Sequence, residues 1–323
     1  MSKGDKFSRF TDYLRNTDSD FLTLSFSQIE EILGFKLPPS AYLYEAQWAN
    51  TESHSLSMSW ILAGFHSCRL DLAKQNISFS RVDFTSKKHE PSLSTKALSI
   101  EEAKGSILTY YHESLSDPNG RYLSWNHCYN AFVRKPIRDY DFLALHLAFY
   151  LASWGMYRGS SFLLQKDYKI HIPVVKIILE KKYNPLRGIS AENLFDAAML
   201  DLLDELGKRI YEEYASQKPS FEGRTNEASE TLITKILLGT LGCVPAYDRY
   251  YCEAVKKYGI SSSIYNRESV QQIAQFYLSY KQEFELIRKE VSKAGTDYPP
   301  MKLMDMCMWQ LAREMEEDRT TES

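Results

Sequence analysis

The stretch EASETLITKILLGTLGCVPAYDRYY, residues 227–251, decides how the rest of the chain is read. Ala228, Leu232, Ile233, Ile236, Leu237 and Leu241 recur at helical spacing with Glu227, Glu230, Thr231 and Lys235 between them, which predicts an amphipathic helix with one face in a core. Glu227 and Glu230 fall in its first turn, where the positive end of the helix dipole favours carboxylates, and Asn226 is placed to cap it. Gly242 can take the left-handed conformation that stops a helix, and Pro245 cannot continue one. The chain therefore turns. Asp248 follows at the start of a second helical segment, YDRYYCEAVKKYG, flanked by Tyr247, Arg249 and Tyr250. A carboxylate among aromatic and cationic groups where two helices meet is a candidate reactive group.

This order of helix, glycine, short apolar turn, proline and helix-opening aspartate resembles the helix-hairpin-helix DNA glycosylase superfamily, over roughly the C-terminal third of the chain. The resemblance implies a helical bundle in which Asp248 is the catalytic carboxylate. The family's glycine-rich hairpin is reduced here to Gly223 in SFEGRTNEAS. Where bifunctional members carry a Schiff-base lysine, this chain has Ser229 and Glu230, so the resemblance implies hydrolysis by water rather than a lyase step.

Outward from that stretch, residues 1–84 read as a small α+β accessory domain. FSRFTDYLRN suggests a helix, DFLTLSF a strand, SFSQIEEILGF a Ser-capped helix ending at Gly34, and HSCRLDL with ISFSRV a two-stranded wing. LTLSFSQIEEILGFKLPPSA resembles a small uncharacterised domain appended to bacterial restriction and defence proteins. Residues 85–98, polar and rich in Ser and Lys, read as a linker. Residues 99–323 read as mainly α-helical. DYDFLALHLAFYLASW is apolar around most of its circumference and is expected to be the bundle's central helix. In HIPVVKIILEKKYNPLRG strand and helix compete, and Pro173 near the start favours helix. AENLFDAAMLDLLDELGKRIYEEY is the cleanest amphipathic helix, and the Met-rich PPMKLMDMCMWQLARE reads as packing.

The 323 residues are 44% hydrophobic and 25% charged, enough for one large or two modest domains, and the net charge of -3 excludes a uniformly basic nucleic-acid coat. A local cationic strip remains at Lys166, Lys169, Lys176, Lys181, Lys182 and Arg187, with a solvated surface as the competing reading. Five scattered cysteines without CxxC spacing call for neither a disulfide framework nor a zinc site. The start lacks a signal-like apolar run, no segment reaches a membrane span, and a cytoplasmic location is expected.

Breaking a bond between a base and deoxyribose develops positive charge on the sugar, so a carboxylate must lie near the anomeric carbon with a water in line. The flipped base needs aromatic walls. Asp248 is the catalytic candidate, and Trp154, Tyr157, Arg158, Tyr247, Arg249 and Tyr250 are the substrate-binding candidates; Gly155 and Gly159 bracket the second cluster of these. For Arg158 the competing reading is an ion pair with a carboxylate such as Asp141. Lys166, Lys169, Lys235 and Arg224 are the DNA-contact candidates, Lys235 and Arg249 being equally placed to pair with acids. The expected partner is double-stranded DNA, including phage DNA with modified bases, with no metal, no nucleotide cofactor and no membrane. Nucleotide-loop, zincin, hydrolase-elbow and dinucleotide motifs are absent from the sequence. His112, His127, His146 and His171 read as satisfied structural histidines, and Asp139 with Asp141 as a helix start. The alternative to an enzyme is a non-catalytic DNA- or protein-binding helical module in which Asp248 only caps a helix. An acid locked in a salt bridge with no adjoining cleft would favour that alternative.

Overall fold

Side-chain alternation in FLTLS and NISFSR places Leu24, Ile77 and Phe79 on one buried face, as half-buried strands require. The computed structural model describes residues 7–17, 19, 21–50, 55–72, 74–81, 97–133, 139–159, 161–220, 225–292 and 295–321. The chain divides into two compact units, Met1–Ser92 and Leu93–Ser323.

In the first unit, α1 (Ser8–Arg15), β1 (Phe21–Ser25), α2 (Phe26–Leu33), α3 (Pro39–Leu43) and α4 (Ser55–Ile61) precede β2 (Phe65–Asp71) and β3 (Asn76–Arg81). The strands form one antiparallel sheet in the order β1-β3-β2. The expected two-stranded wing is therefore not free, because β1 pairs along the outer edge of β3 from Phe21↔Ser80 to Ser25↔Asn76. Ser25 caps α2 in a capping box with Gln28, and Gly34 at φ +77° ends it. Phe26, Trp48 and Trp60 stack in series at 4.5 and 6.1 Å in the core of this unit. The expected linker, 85–98, lies outside the described residues except for its last two, of which Leu98 is buried in the core of the second unit.

The second unit comprises α5 (Ile100–Ser116), α6 (Leu123–Val133), α7 (Tyr140–Ser153), α8 (Ile172–Ile178), α9 (Ala197–Ser216), α10 (Glu230–Thr240), α11 (Arg249–Tyr258), α12 (Arg267–Ser279), α13 (Lys281–Val291) and α14 (Pro300–Thr321). HIPVVKII is helix, as Pro173 requires. Two expectations are corrected. α10 is not amphipathic in place: every residue from Leu232 to Tyr247 is buried, Thr234, Lys235 and Thr240 included. α14 is buried on all sides from Met301 to Ala312, whereas α7, expected at the centre, exposes Phe142, Leu145 and Phe149 along one stripe. Two buried helices, α10 and α14, thus form the middle of this unit. Packing of the neighbouring helices, rather than residue-by-residue hydropathy, sets which helix lies inside.

Local chemistry places the ends of α10. Ser229, not Asn226, is its cap: the Ser229 hydroxyl accepts from the Leu232 N–H at 3.2 Å. Asn226 instead braces the preceding loop, accepting from Ser220 N–H at 3.0 Å and donating to the Gln217 and Lys218 carbonyls. Gly242 at φ +65° ends the helix, and a Cβ there would lie 2.4 Å from Pro299.

Candidate functional site

The turn after α10 is tied on both sides. The Thr231 hydroxyl donates to the Tyr247 carbonyl at 2.9 Å, the Tyr247 N–H donates to Thr234 Oγ1 at 3.0 Å, and the Ala246 N–H donates to Asp305 Oδ1 at 3.1 Å. These bonds leave Asp248 as the N-cap of α11, where its Oδ1 accepts from the Tyr251 N–H at 3.2 Å. Its Oδ2 accepts from Lys235 Nζ at 2.7 Å. One turn of α14 supplies a second pair, Lys302 Nζ to Asp305 Oδ2 at 2.8 Å. Burial pushes the Lys302 ammonium below the ordinary lysine range, with Asp305 and Asp248 opposing that shift and Lys235 adding to it. Three buried charges, Lys235, Lys302 and Asp305, and the partly exposed Asp248 therefore sum to zero, the condition under which charges remain in a protein interior.

Both pairs border a small crevice of about 10 Å³ walled by Tyr150, Trp154 and Trp309 and floored by Leu238 and Ala246. A space of that size admits about one water, and no planar ring fits between the walls as they stand. Trp154 and Trp309 meet edge to face at 5.5 Å, and Lys235 Nζ lies 5.4 Å from the Trp154 ring centre. Gly239 brings the Tyr150 wall close, since a Cβ at that position would meet the ring at 2.5 Å. The Trp154 indole N–H is buried without a hydrogen-bond partner. Asp248 keeps 17% of its side chain exposed and Lys235 only 4%.

Of the candidates read from sequence, Asp248, Lys235 and Trp154 come together around this crevice. Lys235 takes the acid-pairing role, not a surface phosphate contact. Tyr250 borders the cluster, with its ring 5.2 Å from Trp309 and its hydroxyl donating to Glu316. Arg249 points to Glu316 at 3.0 Å. Tyr247 is buried and bonds Ser269 at 2.9 Å, and burial raises its hydroxyl to about 12. Tyr157 belongs elsewhere: its hydroxyl lies 2.7 Å from His171 Nε2, whose Nδ1 lies 2.6 Å from the Tyr214 hydroxyl. Arg158 is exposed, and Asp141, its expected partner, instead accepts from Tyr168 at 3.0 Å. Lys166 donates to the Lys218 carbonyl at 2.7 Å, and Lys169 is exposed beside Tyr168. Arg224 and Gly223 lie outside the described residues.

Sequence reasoning missed Tyr150, Lys302, Asp305 and Trp309. The available signal was a lysine and an aspartate three residues apart inside the apolar run MKLMDMCMWQLA, where an unpaired charge is not tolerated. Among the described residues no group of three or more potential metal ligands occurs, and no helix is long and apolar enough to cross a membrane. No curated protein and no solved structure matches the chain significantly. Residues 7–82 match the profile of a domain of unknown function, DUF7662.

Proposed function

We propose that the second unit is a monofunctional DNA glycosylase that hydrolyses the bond between a modified base and deoxyribose. The observation that supports it is a partly exposed carboxylate, oriented by two donors, beside the aromatic side chains Tyr150, Trp154 and Trp309. Each Asp248 oxygen has accepted one hydrogen bond and has a further lone pair available. In this reading a water held by Asp248 adds to the anomeric carbon as the carbon–nitrogen bond breaks. The base leaves with the bonding electrons and takes up a proton, and the carboxylate opposes the positive charge developed on the sugar. Phage DNA with hypermodified bases is the proposed substrate source, and defence against phage the proposed role, on the resemblance of the N-terminal stretch to restriction-associated domains.

A second reading has its own support: Asp248 is a satisfied cap and ion-pair partner, which a non-catalytic DNA- or protein-binding module would also need. Incubation with genomic DNA from modified and unmodified phages, then alkaline cleavage and mass spectrometry of released bases, separates the two. Under the first reading, Asp248→Asn lowers base release by at least about 100-fold while DNA affinity survives. Folded wild-type protein that releases no base from any of these DNAs leaves the binding module as the function.

A further inference from the structure

Of the residues lining the crevice beside Asp248, only Asp248 and Trp154 keep part of their surface exposed, so it meets solvent between a carboxylate and an indole. Its polar groups are matched unequally. Asp305 accepts from the Ala246 N–H at 3.1 Å and from Lys302 Nζ at 2.8 Å, so the deeper carboxylate is served at both oxygens. Asp248 accepts one bond at each oxygen, from the Tyr251 N–H at 3.2 Å and from Lys235 Nζ at 2.7 Å, and each oxygen keeps a further lone pair. The Trp154 indole N–H has no partner. Among the described residues it is the one buried side-chain polar atom without a hydrogen bond that belongs to the lining of the crevice.

A buried donor left without an acceptor costs its full desolvation, and protein interiors meet such groups with ordered water. A water needs about one probe sphere of space and about two to four polar partners. The space here, about 10 Å³, is of that size, and the lining offers a free donor and a carboxylate with free lone pairs. A water that accepts from Trp154 and donates to Asp248 satisfies both groups and keeps one lone pair of its own. That lone pair is what a nucleophile requires.

We propose that the crevice binds one water between the Trp154 N–H and the Asp248 carboxylate, and that Trp154 is the positioning residue for the water added in hydrolysis. The inference rests on the reading of Asp248 as the catalytic carboxylate and adds the group that aims the nucleophile. Only the water occupies the crevice, and the base remains outside it. The water oxygen bonds to the anomeric carbon as the carbon–nitrogen bond breaks. One water proton passes to Asp248 and the other stays on the new sugar hydroxyl, while the base departs with the bonding electrons and takes its proton from solvent.

The test pairs high-resolution crystal structures of the full chain with single-turnover base release from the phage genomic DNAs, for wild type, Trp154→Phe and Trp154→His. Phenylalanine keeps a ring without an N–H, whereas histidine carries a ring nitrogen as many bonds from Cβ as the indole nitrogen. Wild type is expected to show one water within about 3 Å of both Trp154 Nε1 and the Asp248 carboxylate. Trp154→Phe is expected to lose that water and to release base about 10- to 100-fold more slowly at unchanged DNA affinity, and Trp154→His to recover both. A wild-type crevice without the water overturns the proposal, and so does a wild-type rate in Trp154→Phe. Equal slowing of both variants with the water retained in each would assign Trp154 to packing and overturn it as well. The expected water together with no base release from any DNA would keep the water site and remove the hydrolytic reading alone.

Discussion

Lys235 is the residue on which the candidate site turns, because its ammonium is almost wholly enclosed and Asp248 is its ion-pair partner. Asp248→Asn retains a capping side chain but leaves that ammonium facing a neutral amide, and breaking a buried pair in this way costs about 3–5 kcal/mol. The loss is expected at the lower end because Asp248 is partly solvated, and urea unfolding measures it. Lys235→Met added to Asp248→Asn removes the lone charge and is expected to recover most of the stability, so that base release is compared between folded proteins. His171 gives a pH dependence. Burial between Tyr157 and Tyr214 lowers it from 6.5 to about 3. Between those values the unfolded chain binds a proton that the folded chain refuses, so stability falls as pH drops through that window. The loss reaches about 2 kcal/mol by pH 5. His171→Gln cannot titrate and is expected to lose that much less stability between pH 7 and pH 5; an unchanged difference would place the acid sensitivity elsewhere.

At the scale of elements, α10 is constrained by what its neighbours leave room for. Alanine is favoured over glycine inside a helix by about 1 kcal/mol, whereas overpacking a core costs about 1–3 kcal/mol. At Gly239 the second effect wins, because the new Cβ would sit 2.5 Å from the fully packed Tyr150 ring. Gly239→Ala is therefore expected to lower the melting temperature and to displace a wall of the crevice. An equal or higher melting temperature would show that Tyr150 can move aside. Helix ends were legible where the capping chemistry is local, as with Ser25, Gly34 and Gly242. They were misassigned where two polar residues compete, as with Asn226 and Ser229, since a loop fold decided which of them was free to cap.

For the whole molecule, two cores share no residue, one built on Phe10, Phe26, Trp48 and Trp60 and the other on α10 and α14. Residues 93–323 expressed alone are therefore expected to keep their helical circular dichroism and a cooperative melt, and an unfolded product would show that the first unit is required for their fold. The sequence by itself determined most of the order of helices and strands, though not the start of α9 at Ala197 after a separate turn at Glu192–Phe195, together with the turn that follows α10 and the place of Asp248 at the start of α11. Helical periodicity, proline and glycine act over a few residues, and those signals lie within any short window of chain. Only the tertiary structure decided that Lys235 is the partner of Asp248, that Lys302 and Asp305 join them, that Tyr157 turns to His171, and that Trp154, its indole N–H unpartnered among the described residues, lines the same crevice. Charge pairing and ring stacking are settled between side chains far apart in sequence, by whichever groups the packed helices bring within a few ångströms while excluding water.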